Sequence, residues 1–275
     1  MPELPEVETI ISGLRPHLEG FSIKSIDVRR HDLRFPVPRN LSKRILGSEI
    51  EAIKRRGKYI LVFFENSKVL IIHLGMSGKI ILNDLNEKEN KHSHVIFTLN
   101  SGKKFMFNDP RRFGMVILSE KNKYLYQSRF KNMGPEPLNP EFNYQSLLFC
   151  LAGKKAPIKN VLLDQRTVAG IGNIYACESL FLAGVSPTKQ AGRIKQAKAE
   201  RLVLSIKTVL KKAIDAGGSS IKNFVKSSGE MGYFQNSLAV YGRVGKQCPD
   251  CNCRVGIKCI KQSGRSTFYC PKKQK

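Results

Sequence analysis

Residues 58–74 read KYILVFFENSKVLIIHL: two runs of β-branched, aromatic and aliphatic residues on either side of the polar turn Glu65-Asn66-Ser67-Lys68. Each run is too short for an ordinary helix and is bounded by turn residues, so the pair reads as a β hairpin. Working outward, the same texture recurs in SIKSIDV (22–28), KIIL (79–82), HVIFTL (94–99), KKFMF (103–107) and GMVIL (114–118), with Asn100-Ser101-Gly102-Lys103 as a further turn. From Ser22 to about Ser119 this predicts an antiparallel β sandwich or barrel. Ahead of it, Val7 to about Leu18 has helical spacing. Pro5 stands near the first turn, and Glu3, Glu6 and Glu8 stand where a helix dipole favours negative charge. Beyond Gly134-Pro135-Glu136-Pro137 the period changes. Residues 144–151, 158–163, 174–183 and 197–216 all show helical spacing. A last segment from Gln247 to Lys275 is cysteine-rich, with β-like pieces at 254–260 and 265–269.

The charge balance concerns partners. Forty-seven Lys and Arg face 22 Asp and Glu across 275 residues, a net +25. Positive charge built into a folded chain points to a polyanion, because Lys and Arg release condensed counterions from nucleic acid. Hydrophobic residues at 41% exclude a disordered polyelectrolyte. No apolar run approaches the roughly 20 residues of a membrane span, so no membrane association is expected. The acidic, Pro-bearing start MPELPEVETI is unlike a secretory signal, and a cytoplasmic location is expected.

Five of the seven cysteines fall in the last 28 residues, which reads as a metal site, not as a disulfide framework. The spacing is Cys248-x2-Cys251, eighteen residues, then Cys270-x2-Lys273. A four-thiolate zinc ribbon needs a donor at 273, and a lysine cation is not one. No His lies beyond His94, so Cys253, Cys259, Asp250 or water would have to complete the set. On spacing alone Cys253 stands too close to Cys251 to replace a ligand of the other knuckle. The competing reading is a metal-free hairpin.

Three further stretches could carry chemistry. In Val168-Ala169-Gly170-Ile171-Gly172-Asn173-Ile174-Tyr175, two glycines permit close backbone approach and Asn173 is a good N-cap, which describes a phosphate seat. In Asn108-Asp109-Pro110-Arg111-Arg112-Phe113-Gly114, two guanidiniums and an aromatic share a turn. Arg111 can enter a base stack and Phe113 can wedge a step open, as can Met76 in HLGMSG (73–78). Removal of Met1 would make Pro2 a secondary α-amine, substantially unprotonated near neutral pH if its pKa is about 8. Such an amine attacks electrophilic sugar carbons, with Glu3 beside it to move protons.

Together, MPELPEVET, Arg56-Gly57-Lys58-Tyr59, HLGMSG, NDPRRFG, Met133-Gly134-Pro135-Glu136-Pro137-Leu138, VAGIGNIY, Gly232-Tyr233-Phe234, Val240-Tyr241-Gly242-Arg243 and the Cys-rich tail closely resemble the bacterial formamidopyrimidine-DNA glycosylases, collinearly from residue 1 to 275. The resemblance implies an α+β protein. An N-terminal antiparallel β sandwich flanked by helices (1–134) would precede a helix-two-turn-helix domain (135–242) and a C-terminal zinc-finger-like β hairpin with a degenerate ligand set (243–275), with DNA in a basic cleft. It implies a monomeric base-excision enzyme that removes 8-oxoguanine and formamidopyrimidines from duplex DNA and then cuts the strand on both sides of the abasic sugar.

Carried onto this sequence, Pro2 is the nucleophile that forms an imine at C1′, Glu3 protonates the opening sugar and Glu6 supports that site. Lys58 donates a proton during β-elimination, and Arg265 binds phosphate and assists δ-elimination. Met76, Arg111 and Phe113 fill the void left by the flipped nucleotide, and His92, Arg111, Lys154 and Asn173 contact DNA. Zinc, if bound through Cys248, Cys251 and Cys270, is structural, and Lys273 puts its fourth ligand in question. The rivals are the related endonuclease VIII branch, which prefers oxidised pyrimidines, and a DNA-binding protein without catalysis. The PELPE start and the PRRFG and GPEPL segments favour the purine branch, and intact Pro2, Glu3 and Lys58 favour an enzyme.

Overall fold

The structure, a computed structural model, describes residues 2–87, 89–218, 234–251 and 253–275. The chain divides into two compact units, Met1–Lys131 with Gly217–Gly232, and Asn132–Ala216 with Tyr233–Lys275.

In the first unit, α1 (Leu4–Leu18) precedes β1 (Ile23–Val28), α2 (Leu41–Ile45), β2 (Ile50–Arg56), β3 (Tyr59–Phe64), β4 (Lys68–His73), β5 (Lys79–Asp84), β6 (Ser93–Leu99), β7 (Lys103–Asn108), β8 (Met115–Glu120) and α3 (Ser128–Lys131). The strands form two separate four-stranded antiparallel sheets, β1-β6-β7-β5 and β2-β3-β4-β8, so the expected sandwich or barrel is a sandwich. The hairpin that opened the reading is β3–β4, with Ile60 opposite Ile72 and Val62 opposite Leu70. Side chains alternate along a strand. Ile60, Val62 and Phe64 accordingly join Leu70, Ile72, Phe97, Phe107 and Val116 in one core with Ile10, Ile11 and Leu14 of α1. The opposite face of β3 is also covered, with Phe63 edge-on to Tyr124 at 5.7 Å. Cover on both faces explains why this run is continuously apolar. Truncating a core aromatic such as Phe64 would cost about 3–5 kcal/mol.

The first helix begins at Leu4, three residues before its apolar spacing predicts. Glu3 is its N-cap, Pro5 lies in its first turn, and the carboxylate of Glu6 accepts the backbone N–H of Glu3 at 2.8 Å.

The second unit contains α4 (Tyr144–Leu151), α5 (Ile158–Leu163), α6 (Asn173–Leu182), α7 (Gln196–Asp215) and the hairpin β9 (Lys258–Gln262) and β10 (Arg265–Tyr269). The helices fall where the apolar period placed them, and this unit also carries the Cys-rich hairpin. Ser263 and Gly264 both adopt left-handed φ, +46° and +75°, between the paired Gln262 and Arg265, which makes the two-residue loop a primed turn matched to strand twist. The strand expected from 254 starts only at Lys258. Gly256 takes φ +68°, and Ile257 exchanges backbone hydrogen bonds with Gly245 and Lys246, so this stretch pairs with an earlier turn before it can enter the hairpin. Among the described residues no helix is long and apolar enough to cross a membrane.

Candidate functional site

The start of α1 gathers the first group. Pro2 is half-buried, while Glu3 and Glu6 are 3% and 2% exposed. Gly218, with φ +79°, approaches so closely that a Cβ there would lie 3.4 Å from the Glu6 carboxylate. Lys58 sits in the two-residue turn between paired Arg56 and Tyr59, where Gly57 takes φ +56°. A hairpin of this kind wants glycine first, and the second position then presents Lys58, which is itself buried. One β-pairing away, His73 lies opposite Tyr59 with ring centroids 4.8 Å apart. Burial, then the charges of Lys58 and Arg34, lower the His73 pKa to about 4. The imidazole is therefore neutral, and its Nδ1 accepts the Gly75 N–H at 3.0 Å.

That bond fixes the entry to the second group. Met76 and Phe113 are 49% and 44% exposed, and the Arg111 guanidinium lies 4.7 Å from the Phe113 ring centre. Asp109, fully buried, joins their two loops. Its carboxylate accepts Ser77 Oγ at 2.5 Å, the Gly114 N–H at 2.8 Å and the Arg111 N–H at 3.3 Å. Its carbonyl accepts His94 Nε2 at 2.8 Å, and its own N–H donates to the carbonyl of His92. His92 and Arg111 are thus tied to one residue. Gly75 permits the contact, since a Cβ there would lie 2.6 Å from the Phe113 carbonyl carbon. Asp109 and His73 were missed as organising residues. The first is a member of a motif valued for its arginines, and its partner Ser77 is 32 residues away.

In the second unit, Arg265 lies exposed at the tip of the β9–β10 hairpin, and three side chains clip that tip to the helices. Lys159, with no exposed surface, donates to Thr267 Oγ1 at 2.7 Å. Asn160 donates to Ser263 Oγ at 2.9 Å, and Asn173 Nδ2 to the Ser266 carbonyl at 2.9 Å. The expectation that Asn173 caps α6 is corrected: Gly172 is the N-cap, and Asn173 is the first helical residue, its amide spent on the hairpin. The preceding loop is buried, pinned by Gln165, which accepts the Gly170 N–H and donates to the Ile171 carbonyl. Lys154, just after α4, is half-buried, and its carbonyl accepts the Gly192 N–H. Glu178 accepts three backbone N–H groups, of Ala239, Val240 and Tyr241, at 2.8–2.9 Å, anchoring that segment on α6. Lys159 and Glu178 had no signal in the linear pattern. Gly232 and Tyr233, part of the quoted resemblance, lie outside the described residues.

Cys248, Cys251 and Cys270 place their sulfurs within 4.8 Å of one another. Cys253 adjoins this group, its sulfur 3.6 Å from that of Cys270, although its place beside Cys251 in sequence spoke against its replacing a ligand of the other knuckle. Lys273 ion-pairs with Asp250 and lies 4.2 Å from the Phe181 ring centre. All seven thiols are free of disulfides. A compact set of soft thiol donors fits a structural zinc ion.

With this geometry in place, comparison with known proteins identifies two family models. The formamidopyrimidine-DNA glycosylase N-terminal domain matches residues 1–116, and the formamidopyrimidine-DNA glycosylase H2TH domain matches residues 133–225. Formamidopyrimidine-DNA glycosylases of Ruegeria sp. (strain TM1040) and Ruegeria pomeroyi are 44% and 45% identical over the full length of both chains. Among solved structures, Lactococcus lactis Fpg in complex with an abasic site containing DNA superposes with TM-score 0.91 at 36% identity, covering 99% of each chain. A point mutant of that protein with a Fapy-dG containing DNA gives the same values.

Proposed function

This chain belongs to the formamidopyrimidine-DNA glycosylase family, and from that premise we propose how its own residues excise oxidised purines from duplex DNA and cleave the abasic strand. The enzyme is a DNA glycosylase with AP lyase activity; the assignments of individual residues are our reading. The observation that carries it is the start of α1, where Pro2 stands at the surface ahead of two carboxylates withdrawn from solvent.

The nitrogen of Pro2, freed by removal of Met1, attacks C1′ of the damaged nucleotide. The C1′–N bond to the base breaks, the base leaves with a proton, and the sugar ring opens as Glu3 protonates its ring oxygen. The product is an iminium at C1′. Glu6 holds the Glu3 backbone by its 2.8 Å bond and so orients the proton donor. The iminium acidifies C2′, so loss of that proton expels the 3′ phosphate, and Lys58 supplies a proton in this step. A second elimination expels the 5′ phosphate, with Arg265 at the hairpin tip bound to that phosphate.

A base inside the stack must be turned out before C1′ is reachable. Met76, Arg111 and Phe113, exposed and tied together through Asp109, would occupy the space it leaves, while His92 and Lys154 contact the DNA and Asn173, its side-chain amide held by the hairpin, meets it with the main-chain N–H at the start of α6. Zinc held by the thiol cluster would be structural, cross-linking the turn at 248–251 to the end of β10 and steadying the hairpin that carries Arg265. We take residues 1–134, 135–242 and 243–275 as the functional domains of a monomer acting in the cytoplasm, where bacterial DNA lies.

Borohydride trapping tests the reading. A covalent adduct forms with an 8-oxoguanine·C duplex, forms weakly or not at all with a thymine-glycol duplex, and disappears in Pro2→Gly. Binding without trapping on either lesion would leave a DNA-binding protein with no lyase chemistry.

A further inference from the structure

We infer that Cys253 supplies the fourth thiolate of the zinc site, a ligand transferred from position 273 to position 253, so that the set is Cys248, Cys251, Cys253 and Cys270. The inference deepens the reading that this cluster holds structural zinc and rests on it.

Sulfurs bound tetrahedrally to one zinc at about 2.3 Å lie about 3.8 Å from each other. The Cys251 and Cys253 sulfurs approach the Cys270 sulfur to 3.5 and 3.6 Å, close to that spacing, and Cys248, Cys251 and Cys270 lie within 4.8 Å of one another, with Cys253 beside that trio at Cys270. Although Cys251 and Cys253 are neighbours in sequence, both sulfurs come within reach of the Cys270 sulfur, so the pair can deliver two donors to one point.

The other candidates are engaged elsewhere or unsuited. Lys273 is a cation ion-paired with Asp250 and resting on the Phe181 ring, which occupies the one nearby carboxylate as well. Cys259 is exposed on β9, opposite Phe268, with its thiol against the Ile260 carbonyl. No histidine occurs after His94. On this reading the loss of a ligand at 273 is matched by a gain at 253.

The test uses the full chain purified under reducing conditions, with zinc measured by mass spectrometry and the zinc then exchanged for cobalt. Thiolate-to-cobalt charge-transfer absorbance scales with the number of sulfur ligands. The wild type is expected to hold near-stoichiometric zinc and to show a four-thiolate tetrahedral cobalt spectrum. Cys253→Ser is expected to lose about a quarter of the charge-transfer intensity and to release zinc to a chelator roughly ten-fold faster or more. Cys259→Ser should match the wild type, and adding Lys273→Cys to Cys253→Ser should restore the four-thiolate spectrum, which separates a ligand from a residue needed only for folding. Zinc-loaded wild type with a three-thiolate spectrum, or one unchanged by Cys253→Ser, overturns the inference. Zinc-free wild type with reduced thiols overturns the underlying zinc reading instead.

Discussion

Asp109 is the residue on which the void-filling platform depends most. Its fully buried carboxylate holds Ser77 from the Met76 loop and Gly114 from the Phe113 loop, at 2.5 and 2.8 Å. Asp109→Ala removes the acceptor, leaving the Gly114 N–H buried without a partner and the half-buried Ser77 hydroxyl to water. The buried group costs about 1–3 kcal/mol and the lost Ser77 bond about 1 kcal/mol more, so the variant should lose about 2–4 kcal/mol of stability in this unit. The melting midpoint should fall by roughly 5–10 °C. Because the carboxylate connects the two loops, Met76 and Phe113 lose their fixed relation before the sandwich unfolds. Single-turnover excision of 8-oxoguanine, measured well below the melting midpoint, should fall by roughly two orders of magnitude, equivalent to about 2.7 kcal/mol of lost positioning. Cleavage at a preformed abasic site needs no purine displaced from the stack and should fall much less. Normal excision by a folded Asp109→Ala, or equal loss of both activities, would refute the argument.

Other parts of the account are testable in the same way. Gly75→Ala puts a methyl 2.6 Å from the Phe113 carbonyl carbon in a left-handed backbone, and should lower 8-oxoguanine excision at least ten-fold in the same single-turnover assay while largely sparing abasic-site cleavage. His73 has a folded pKa of about 4 against about 6.5 unfolded, so below pH 6.5 the unfolded chain takes the proton first. The stability this group contributes is present above pH 6.5 and is lost as pH falls towards 4, a total of about 3 kcal/mol. Denaturant titrations of His73→Gln should show a correspondingly flatter acid limb over that interval. Lys159→Met removes the buried donor to Thr267. It should weaken binding to abasic-site DNA and slow the second elimination more than the first, read from the ratio of the two cleavage products on a gel.

Much of this architecture was legible in the sequence because its signals are local. The hairpin at 58–74 has a period and a turn, and α4 and α5 begin and end where apolar spacing put them. The strand pattern alone did not decide between sandwich and barrel, since that depends on whether edge strands pair across the sheets, a long-range fact that only the motif resemblance supplied. Nor was the break at Gly256, where the strand-like composition of 254–257 yields to backbone pairing with residues 245 and 246. For the site, the motif resemblance proposed Pro2, Glu3, Lys58 and Arg265, whereas the residues that organise the surrounding loops stayed hidden. Asp109, Lys159 and Glu178 are buried polar groups that each reach a partner 32 to 108 residues away, and burial of a charge leaves no mark on its neighbours in sequence. Cys253 shows the opposite error: spacing along the chain spoke against it, while its sulfur lies 3.6 Å from that of Cys270.

The central claim is that the amine at Pro2 is the nucleophile. It is tested most directly by reducing the enzyme–DNA intermediate with borohydride, digesting the adduct and locating the modified residue by tandem mass spectrometry. The account predicts the sugar remnant on the nitrogen of Pro2 and an unmodified Lys58; a remnant on Lys58 or another lysine, with Pro2 unmodified, would contradict it.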